Sequence, residues 1–399
     1  MNVLVVSIFS KEVTCGKGRV GNLMKCLPSE TKITMLASDY DHRNKTYYEL
    51  VSNTVVSDNG VVNHYIHVPA YSKNLSFARI WGNFMFGRGV KQFLKGTSTE
   101  YDFIYCIVPS ASGVLGCRQY LKKHKTKLVV DVMDLLPESL LPIIGDNFFT
   151  RLILWPWFKI SEKAYKTAHF ITGESKEYAN IAHKCNPSVP FTYTYLGIDM
   201  PKINEIIKGR TKELNSDDSI KICYGGNLGN SYDFDAIFNA LISLKEQGVH
   251  YTMYFIGGGD KEEKVRREIE AIGVNATVTG IVSYQEYIEL MSQCDIGLNV
   301  FKRGTKIVHS YKFNDYAACG LYIVSNLHGE TEDMLAHYDC GITSDDICKA
   351  LSDVCLFWDT TYKSKKANSI MMANAELNAD VIYRKQTAKI IELLNDERT

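Results

Sequence analysis

The sequence carries no surplus of charge of either sign: Lys+Arg and Asp+Glu are both 45, for a formal net charge of zero. A general nucleic-acid binder usually shows a basic excess, so the balance argues against that class while leaving room for a local basic patch, and no nucleic-acid partner is expected. The 11 cysteines form no C-x-x-C pair and show no metal-ligand spacing. They read instead as small buried thiols in a reducing compartment, among them Cys106, Cys223 and Cys294. No apolar run approaches the roughly 18 residues of a transmembrane helix. The opening Met1-Asn2-Val3-Leu4-Val5-Val6-Ser7-Ile8-Phe9 lacks a basic lead-in and meets Lys11 and Glu12, so it reads as a buried strand and not a signal peptide. Internal repeats and low-complexity tracts are absent. The expected location is the cytoplasm.

What is present is a chain of 399 residues, 45% hydrophobic, enough for two α/β domains. Short apolar runs bounded by turns predict buried parallel strands. In the first half they are Val3–Phe9, Lys32–Leu36, Phe103–Val108, Leu128–Val132 and Phe170–Thr172. Helical periodicity lies between them, as at Ser110–His124 and Arg151–Lys166. The alternation restarts with Ile220–Tyr224, Thr252–Ile256, Thr277–Thr279, Ile296–Val300 and Tyr322–Ser325. Alternation of this kind implies right-handed crossovers and open parallel sheets, which bind ligands at the carboxyl ends of their strands. The expected division is a first domain 1–196, a polar linker 197–219 containing Pro201, a second domain 220–375, and a C-terminal helix 376–399 that packs back toward the first domain. From about Thr361 onward the tail is predicted to be wholly helical.

Several segments carry chemistry. Thr14-Cys15-Gly16-Lys17-Gly18-Arg19-Val20-Gly21 follows the first strand as one basic, glycine-rich loop opening a helix. It is either an anion-binding turn or a tight turn with exposed cations. Its glycines do not match the dinucleotide fingerprint, for no acidic residue ends a second strand at the required distance. Cys223-Tyr224-Gly225-Gly226-Asn227-Leu228-Gly229-Asn230 follows the first strand of the second half; it is either a turn whose backbone N–H groups meet a phosphate or a structural strand-to-helix turn. Gly257-Gly258-Gly259 after the next strand leaves room for a flat base. Asp295–Val300 runs into a basic loop, Lys302-Arg303-Gly304-Thr305-Lys306, and then Tyr311-Lys312-Phe313-Asn314-Asp315-Tyr316-Ala317-Ala318-Cys319-Gly320. A helix starting near Lys312 would aim its N-terminus at an anion. Asp315, one turn on, would accept from ribose hydroxyls, and Gly320 would close the helix.

In the first half, Asp131 and Asp134 follow a buried strand and are expected to face an acceptor, with Arg19 beside them; the other reading has one of the two capping a turn. Phe148-Phe149-Thr150-Arg151-Leu152-Ile153-Leu154-Trp155-Pro156-Trp157-Phe158-Lys159 is either a membrane-surface face or a buried core helix.

The order of these motifs resembles the family-four retaining glycosyltransferases, in particular their bacterial surface-polysaccharide branch. The resemblance spans most of the chain: the first glycine loop, Asp131–Glu138, Gly225–Asp233, Gly257–Gly259, Lys312–Gly320 and Gly329-Glu330. It implies a GT-B architecture of two Rossmann-like domains facing across a cleft, with no cofactor and no metal. It also implies a nucleotide-diphosphate sugar donor, with UDP favoured, and a glycan acceptor, by expectation lipid-linked at the inner face of the plasma membrane. Lys312, Asp134 and Glu330 would be catalytic. Gly16, Gly18, Gly226, Asn227, Gly229, Gly258, Lys306 and Asp315 would hold the donor, and Asp131 and Arg19 the acceptor side. The family's paired glutamates lie eight residues apart; here Asp315 takes the second place and Ile307 the first. Two other functions fit the same pattern: a sugar-nucleotide epimerase, and a catalytically degenerate partner of an active transferase.

Overall fold

The run Phe103-Ile104-Tyr105-Cys106-Ile107-Val108 is buried at every position, as is Tyr251-Thr252-Met253-Tyr254-Phe255-Ile256. Strands apolar on both faces belong in the interior of sheets covered by helices on either side, and each is an interior strand paired in parallel on both edges. The computed structural model describes residues 1–9, 18–57, 60–73, 76–214, 218–305 and 307–395. The chain forms two units, Met1–Leu196 with Ile382–Thr399, and Gly197–Val381.

The first unit contains β1 (Asn2–Val6), β2 (Lys32–Ser38), a short ribbon of β3 (Tyr40–Asp41) and β4 (Thr46–Tyr47), β5 (Thr54–Val56), β6 (Val62–Ile66), β7 (Phe103–Val108), β8 (Lys127–Val132) and β9 (Phe170–Gly173). Its seven-stranded sheet has the order β5-β6-β2-β1-β7-β8-β9. Only the β5–β6 pairing is antiparallel among these. Strand order therefore reverses between β1 and β7. One face packs Leu4, Ile104, Leu128 and Val130 against Phe86, Val90, Val114 and Tyr165 from the covering helices.

The second unit contains β10 (Ile220–Gly225), β11 (Tyr251–Ile256), β12 (Ala276–Val278), β13 (Ile296–Asn299), β14 (Tyr322–Ser325) and β15 (Gly341–Thr343). All are parallel, in the order β12-β11-β10-β13-β14-β15. Here the reversal falls between β10 and β13. Ile222, Tyr224, Phe255, Leu298 and Val324 form its core with Phe234, Ile237, Leu241 and Leu351.

Several features depart from the sequence reading, among them the unanticipated short strands β3, β4, β5 and β15. The strand Val62-Asn63-His64-Tyr65-Ile66 was not anticipated: its polar residues break the apolar run because it lies near the sheet edge, half-buried, beside the exposed β5. The segment 197–219 is not a bare linker. It holds the helix Met200–Lys208, capped by Asp199, whose carboxylate accepts from the Lys202 amide at 3.1 Å; Pro201 sits in the first turn, where its missing N–H costs nothing. Gly21 lies inside the helix Gly18–Lys25 and is buried, not part of a loop. The tail is helical through Asn395, interrupted at Asn378, where Ile198 donates to Leu377 and accepts from Ala379.

Candidate functional site

Open parallel sheets bind ligands where strand order reverses, at the carboxyl ends of the strands. In the second unit that place is the end of β10 and β13. The loop after β10 and the loop after β11 are stitched together: the Gly226 amide donates to Ile256 O at 2.8 Å and Leu228 N to Gly258 O at 2.9 Å. Gly257, at φ +137, packs so closely that a Cβ would lie 2.1 Å from Gly226 O. At Gly258 a Cβ would meet Glu262 and Ile281 at 2.8 Å, and at Gly229 it would meet Asn227 at 2.6 Å. The Gly225 amide donates to the Tyr316 phenol, which donates in turn to Leu298 O. The amides of Gly225, Gly226 and Leu228 thus serve the protein itself. Those three amides are therefore not offered to a phosphate, and the glycines on either side allow the close approach of the two loops. Asn227 is exposed at the loop's tip.

Facing this loop is the helix Tyr311–Ala318. Ser310 caps it and also donates to Asn299 Oδ1 at 2.9 Å; Asn299 Nδ2 reaches Ser325 Oγ at 3.1 Å. That buried ladder fixes the helix N-terminus to the ends of β13 and β14. Gly320, at φ +74, ends the segment as the sequence predicts.

Lys312 is 6% exposed. Its ammonium finds no hydrogen-bond partner among the described residues and lies over three rings: Tyr232 at 3.5 Å, Tyr224 at 3.8 Å and Phe301 at 5.8 Å from the centroids. Burial pushes its pKa well below the usual lysine value. Asp315, one turn later, accepts from the Tyr284 hydroxyl at 3.1 Å. Burial lifts its carboxyl to about 6, against the pull of the Tyr284 and Tyr287 hydroxyls.

Glu330 opens the helix Glu330–Tyr338 behind Gly329, after β14. In that helix Glu332, and not Glu330, reaches back to accept from the Gly329 amide at 3.2 Å. Lys302 and Arg303 are exposed in the loop after β13, and the Lys302 amide donates to Ser231 O at 2.9 Å. Lys306 and Gly16 lie outside the described residues. Gly18, at φ +70, starts its helix, and a Cβ there would meet nothing within 4 Å among the described residues.

The first unit places its carboxylates differently from the sequence reading. Asp131 is buried completely, bidentate to Arg19 at 2.7 and 2.9 Å, and accepts from the Tyr105 hydroxyl at 2.6 Å. Arg19 also donates to the carbonyls of Gly173 and Thr194. Burial would lower the Arg19 pKa, but Asp131, together with Tyr105 and Tyr383, more than offsets it and the net direction is upward. The pair is therefore a structural ion pair and not an acceptor contact: Asp131 stands within β8, between Ile107 and Thr172, in a sheet covered on both faces.

Residues beyond the strand ends reach the edge. Asp134 is half-buried there; burial raises its pKa, while Ser139, the Leu135 amide and Arg79 pull it back. Glu174 follows β9 and its amide donates to Val132 O at 3.0 Å. Burial pushes its carboxyl up to about 8, Arg19 pulls it down, and Asp131 and Asp134 push it up again. Glu174 was missed, although a carboxylate directly after a buried strand is the same signal that marked Asp134. Tyr284 and Tyr232 were missed because lone tyrosines on helices and loops carry no periodic mark.

In the helix Phe148–Tyr165, Phe148 and Phe149 are each 73% exposed and Ile153 is 76% exposed, with Leu152 and Trp155 also outside. Those side chains do not form a buried core helix. Among the described residues no helix is long and apolar enough to cross a membrane.

Two successive parallel-sheet bodies, each with its strand order reversed at a loop-lined edge, define the GT-B class of Rossmann-like folds. No family model and no curated protein matches the chain. Among solved structures it is similar to HepE from Anabaena in complex with UDP, with 14% identity, 98% of this chain and 100% of that one covered, and a TM-score of 0.67. It is similar to sucrose-phosphate synthase from Thermosynechococcus elongatus, at 10% identity, 98% of each chain and a TM-score of 0.64. A third is WaaG, a glycosyltransferase involved in lipopolysaccharide biosynthesis, at 15% identity, 97% and 99% coverage and a TM-score of 0.59. At these identities the likeness is one of fold.

Proposed function

We propose that the chain is a glycosyltransferase that moves a sugar from a nucleoside-diphosphate donor, UDP-linked by preference, to a hydroxyl of a glycan acceptor. The observation that carries this reading is the placement of Lys312 and Asp315 on one short helix at the β10/β13 reversal, a cation and a carboxylate one turn apart. Solved structures of the same fold contain UDP and UDP-glucose, which supports the choice of nucleotide.

In this reading the diphosphate draws Lys312 off the Tyr232 ring and meets it together with the helix N-terminus. Asp315 accepts from the ribose. The leaving diphosphate is stabilised by these fixed groups and a loop cation such as Lys306, without a metal. Glu330 contacts the donor sugar in place of the glutamate that Ile307 replaces. Asp134 orients the acceptor hydroxyl, which attacks the anomeric carbon on the face the diphosphate leaves, so that configuration is retained. The exposed aromatic face of the helix Phe148–Tyr165 supports a lipid-linked acceptor presented at a membrane surface.

The experiment is a thermal-shift screen against UDP, GDP, dTDP and CMP, with Lys312→Ala alongside, followed by turnover of the matching sugar nucleotide. A nucleoside diphosphate that raises the Tm of the wild type but not of the variant, with transfer to an acceptor, is the expected result. Release of an epimerised free sugar without acceptor would point to an epimerase, and binding without turnover to a degenerate partner subunit. Product of inverted configuration would sink the retaining mechanism.

A further inference from the structure

The loop between β14 and the helix Glu330–Tyr338 carries Glu330 to its place, and it is held at both ends. At its start Asn326 clips it to the loop after β13: the Phe301 amide donates to Asn326 Oδ1 at 2.8 Å, and Asn326 Nδ2 donates to Phe301 O at 2.7 Å. At its end Gly329 adopts φ +94, in the left-handed region that favours glycine. A Cβ there would meet nothing within 4 Å among the described residues, so conformation and not crowding selects the glycine. The Gly329 amide is the donor to Glu332 Oε2 described above.

Between these anchors stands His328, exposed, with both nitrogens of its ring engaged. Nδ1 lies 3.1 Å from Glu332 Oε2, and Nε2 lies 3.1 Å from Asp345 Oδ1. An ionised carboxylate only accepts, so a ring bonded to two of them carries a proton on each nitrogen. The imidazolium fits this geometry. A neutral ring would turn one lone pair toward a carboxylate oxygen and lose that bond.

The surroundings favour the same form. Asp345 and then Glu332 raise the His328 pKa above the ordinary histidine value, with desolvation acting against them. Those two carboxylates, one after β15 and one on the helix Glu330–Tyr338, are the charged groups that act on the ring among the described residues. The first turn of that helix is acidic, with Glu330, Glu332 and Asp333, and Asp346 beside Asp345 caps the next helix, Ile347–Leu356. A positive charge at His328 therefore joins two acidic loops. The backbone links them nearer the sheet, where the Ser344 amide donates to Ser325 O at 2.9 Å. His328 extends the connection outward.

An exposed ion pair contributes little to global stability. This one closes on the atom that fixes the loop, for Glu332 Oε2 accepts from both the His328 ring and the Gly329 amide. A change at the ring is thus felt one residue from Glu330.

We propose that His328 is a positioning residue whose imidazolium, bridging Glu332 and Asp345, holds the Gly329-Glu330 step in place and releases it when the ring proton leaves to solvent. A histidine raised in this way makes both bonds below its ordinary range and loses one as pH rises through its own midpoint. That the step meets a donor sugar rests on the transferase reading above; the proton-dependent hold on the loop does not.

The test follows the full chain by NMR from about pH 6 to about pH 9, with the His328 ring signals assigned by their loss in His328→Gln. Calorimetry over the same range measures UDP and UDP-glucose. The ratio of the two affinities isolates the sugar's share, because Asp315 and the nucleotide phosphates act on both ligands alike. The ring is expected to titrate above the ordinary histidine value, with the Gly329 and Glu330 amide signals moving at the same midpoint. The sugar's share of affinity should fall about twofold to fivefold across it. In His328→Gln that share should be low and flat with pH. In His328→Lys, which keeps a positive charge throughout, it should be high and flat. Asp345→Asn should lower the midpoint. These side chains are exposed, so the variants probe the bridge and not the fold. A ring that titrates at or below the ordinary value overturns the inference, as does a midpoint that the two amides do not follow. A sugar share independent of pH in the wild type, with UDP bound, overturns the positioning role alone. Failure of UDP to bind overturns the donor reading, and the ring and amide titrations still decide the hold on the loop.

Discussion

Lys312 Nζ lies 3.5 Å from the centre of the Tyr232 ring and is buried. Ring faces attract an ammonium, but less than the water it has left. Because burial lowers its pKa in the folded chain, the unfolded chain binds that proton more tightly. At neutral pH the residue is thus a cost to folding, one that shrinks as pH rises toward the ordinary lysine range. Lys312→Met is expected to raise the Tm of the protein by about 2–4 °C. The same change should weaken UDP binding about tenfold to a hundredfold, through loss of a charge-assisted bond. Scanning fluorimetry and calorimetry check both; a stabilised variant that still binds UDP would remove Lys312 from the site.

Asp315 titrates near 6 because of burial. Its carboxyl is raised in the folded chain, so its contribution to stability is fully present below the ordinary aspartate range and is lost as pH rises through about 6. Acceptance from ribose hydroxyls runs the other way, since it needs the ionised form. UDP affinity is expected to rise about tenfold from pH 5 to 7, and the Asp315→Asn variant should show less of that rise. Titration of the nucleotide's own phosphate is common to both proteins and cancels in the comparison. Parallel profiles would show that Asp315 does not meet the ligand.

The Arg19–Asp131 pair should behave as structure and not as chemistry. Asp131→Asn leaves a buried guanidinium without its counter-charge and is expected to cost about 3–5 kcal/mol in urea unfolding. Unchanged stability with a collapsed turnover number would return Asp131 to the acceptor.

Glu174 offers a pH test in the same unit. Its carboxyl is raised to about 8, so its contribution is present below the ordinary glutamate range and disappears as pH climbs through 8. Wild type should lose about 2–4 °C of Tm between pH 7 and 9 that Glu174→Gln does not lose.

Gly257→Ala places a Cβ against a carbonyl, at a φ of +137 that side chains avoid. A loss of about 2–4 kcal/mol is expected from strain and overlap together. A loss under about 0.5 kcal/mol, the ordinary surface range, would mean the two loops are free to separate.

The buried strands were legible because burial on both faces leaves an unbroken apolar run, as at Phe103–Val108 and Thr252–Ile256. The strand next to the edge, Val62–Ile66, was not, since half-burial admits His64 and Asn63 is buried on hydrogen bonds to Ser57 and Val61 that no sequence pattern shows. In the site, the helix after the basic loop could be read from Lys312, Asp315 and Gly320. Which way Lys312 turns could not, because Tyr224 and Tyr232 reach it only through the fold of the intervening loop. Asp131 and Asp134 look alike in sequence; their fates separate because one lies inside the sheet and the other just past its end.

The bonds from Gly226 to Ile256 and from Leu228 to Gly258 make two loops from different strands into one frame. Neither can be lengthened or exchanged by itself, so in a chimaera or a directed-evolution library the pair must travel as a single cassette. Diversity is better placed on exposed side chains beside that frame, namely Asn227, Lys302 and Arg303, where a change leaves the backbone beneath it paired.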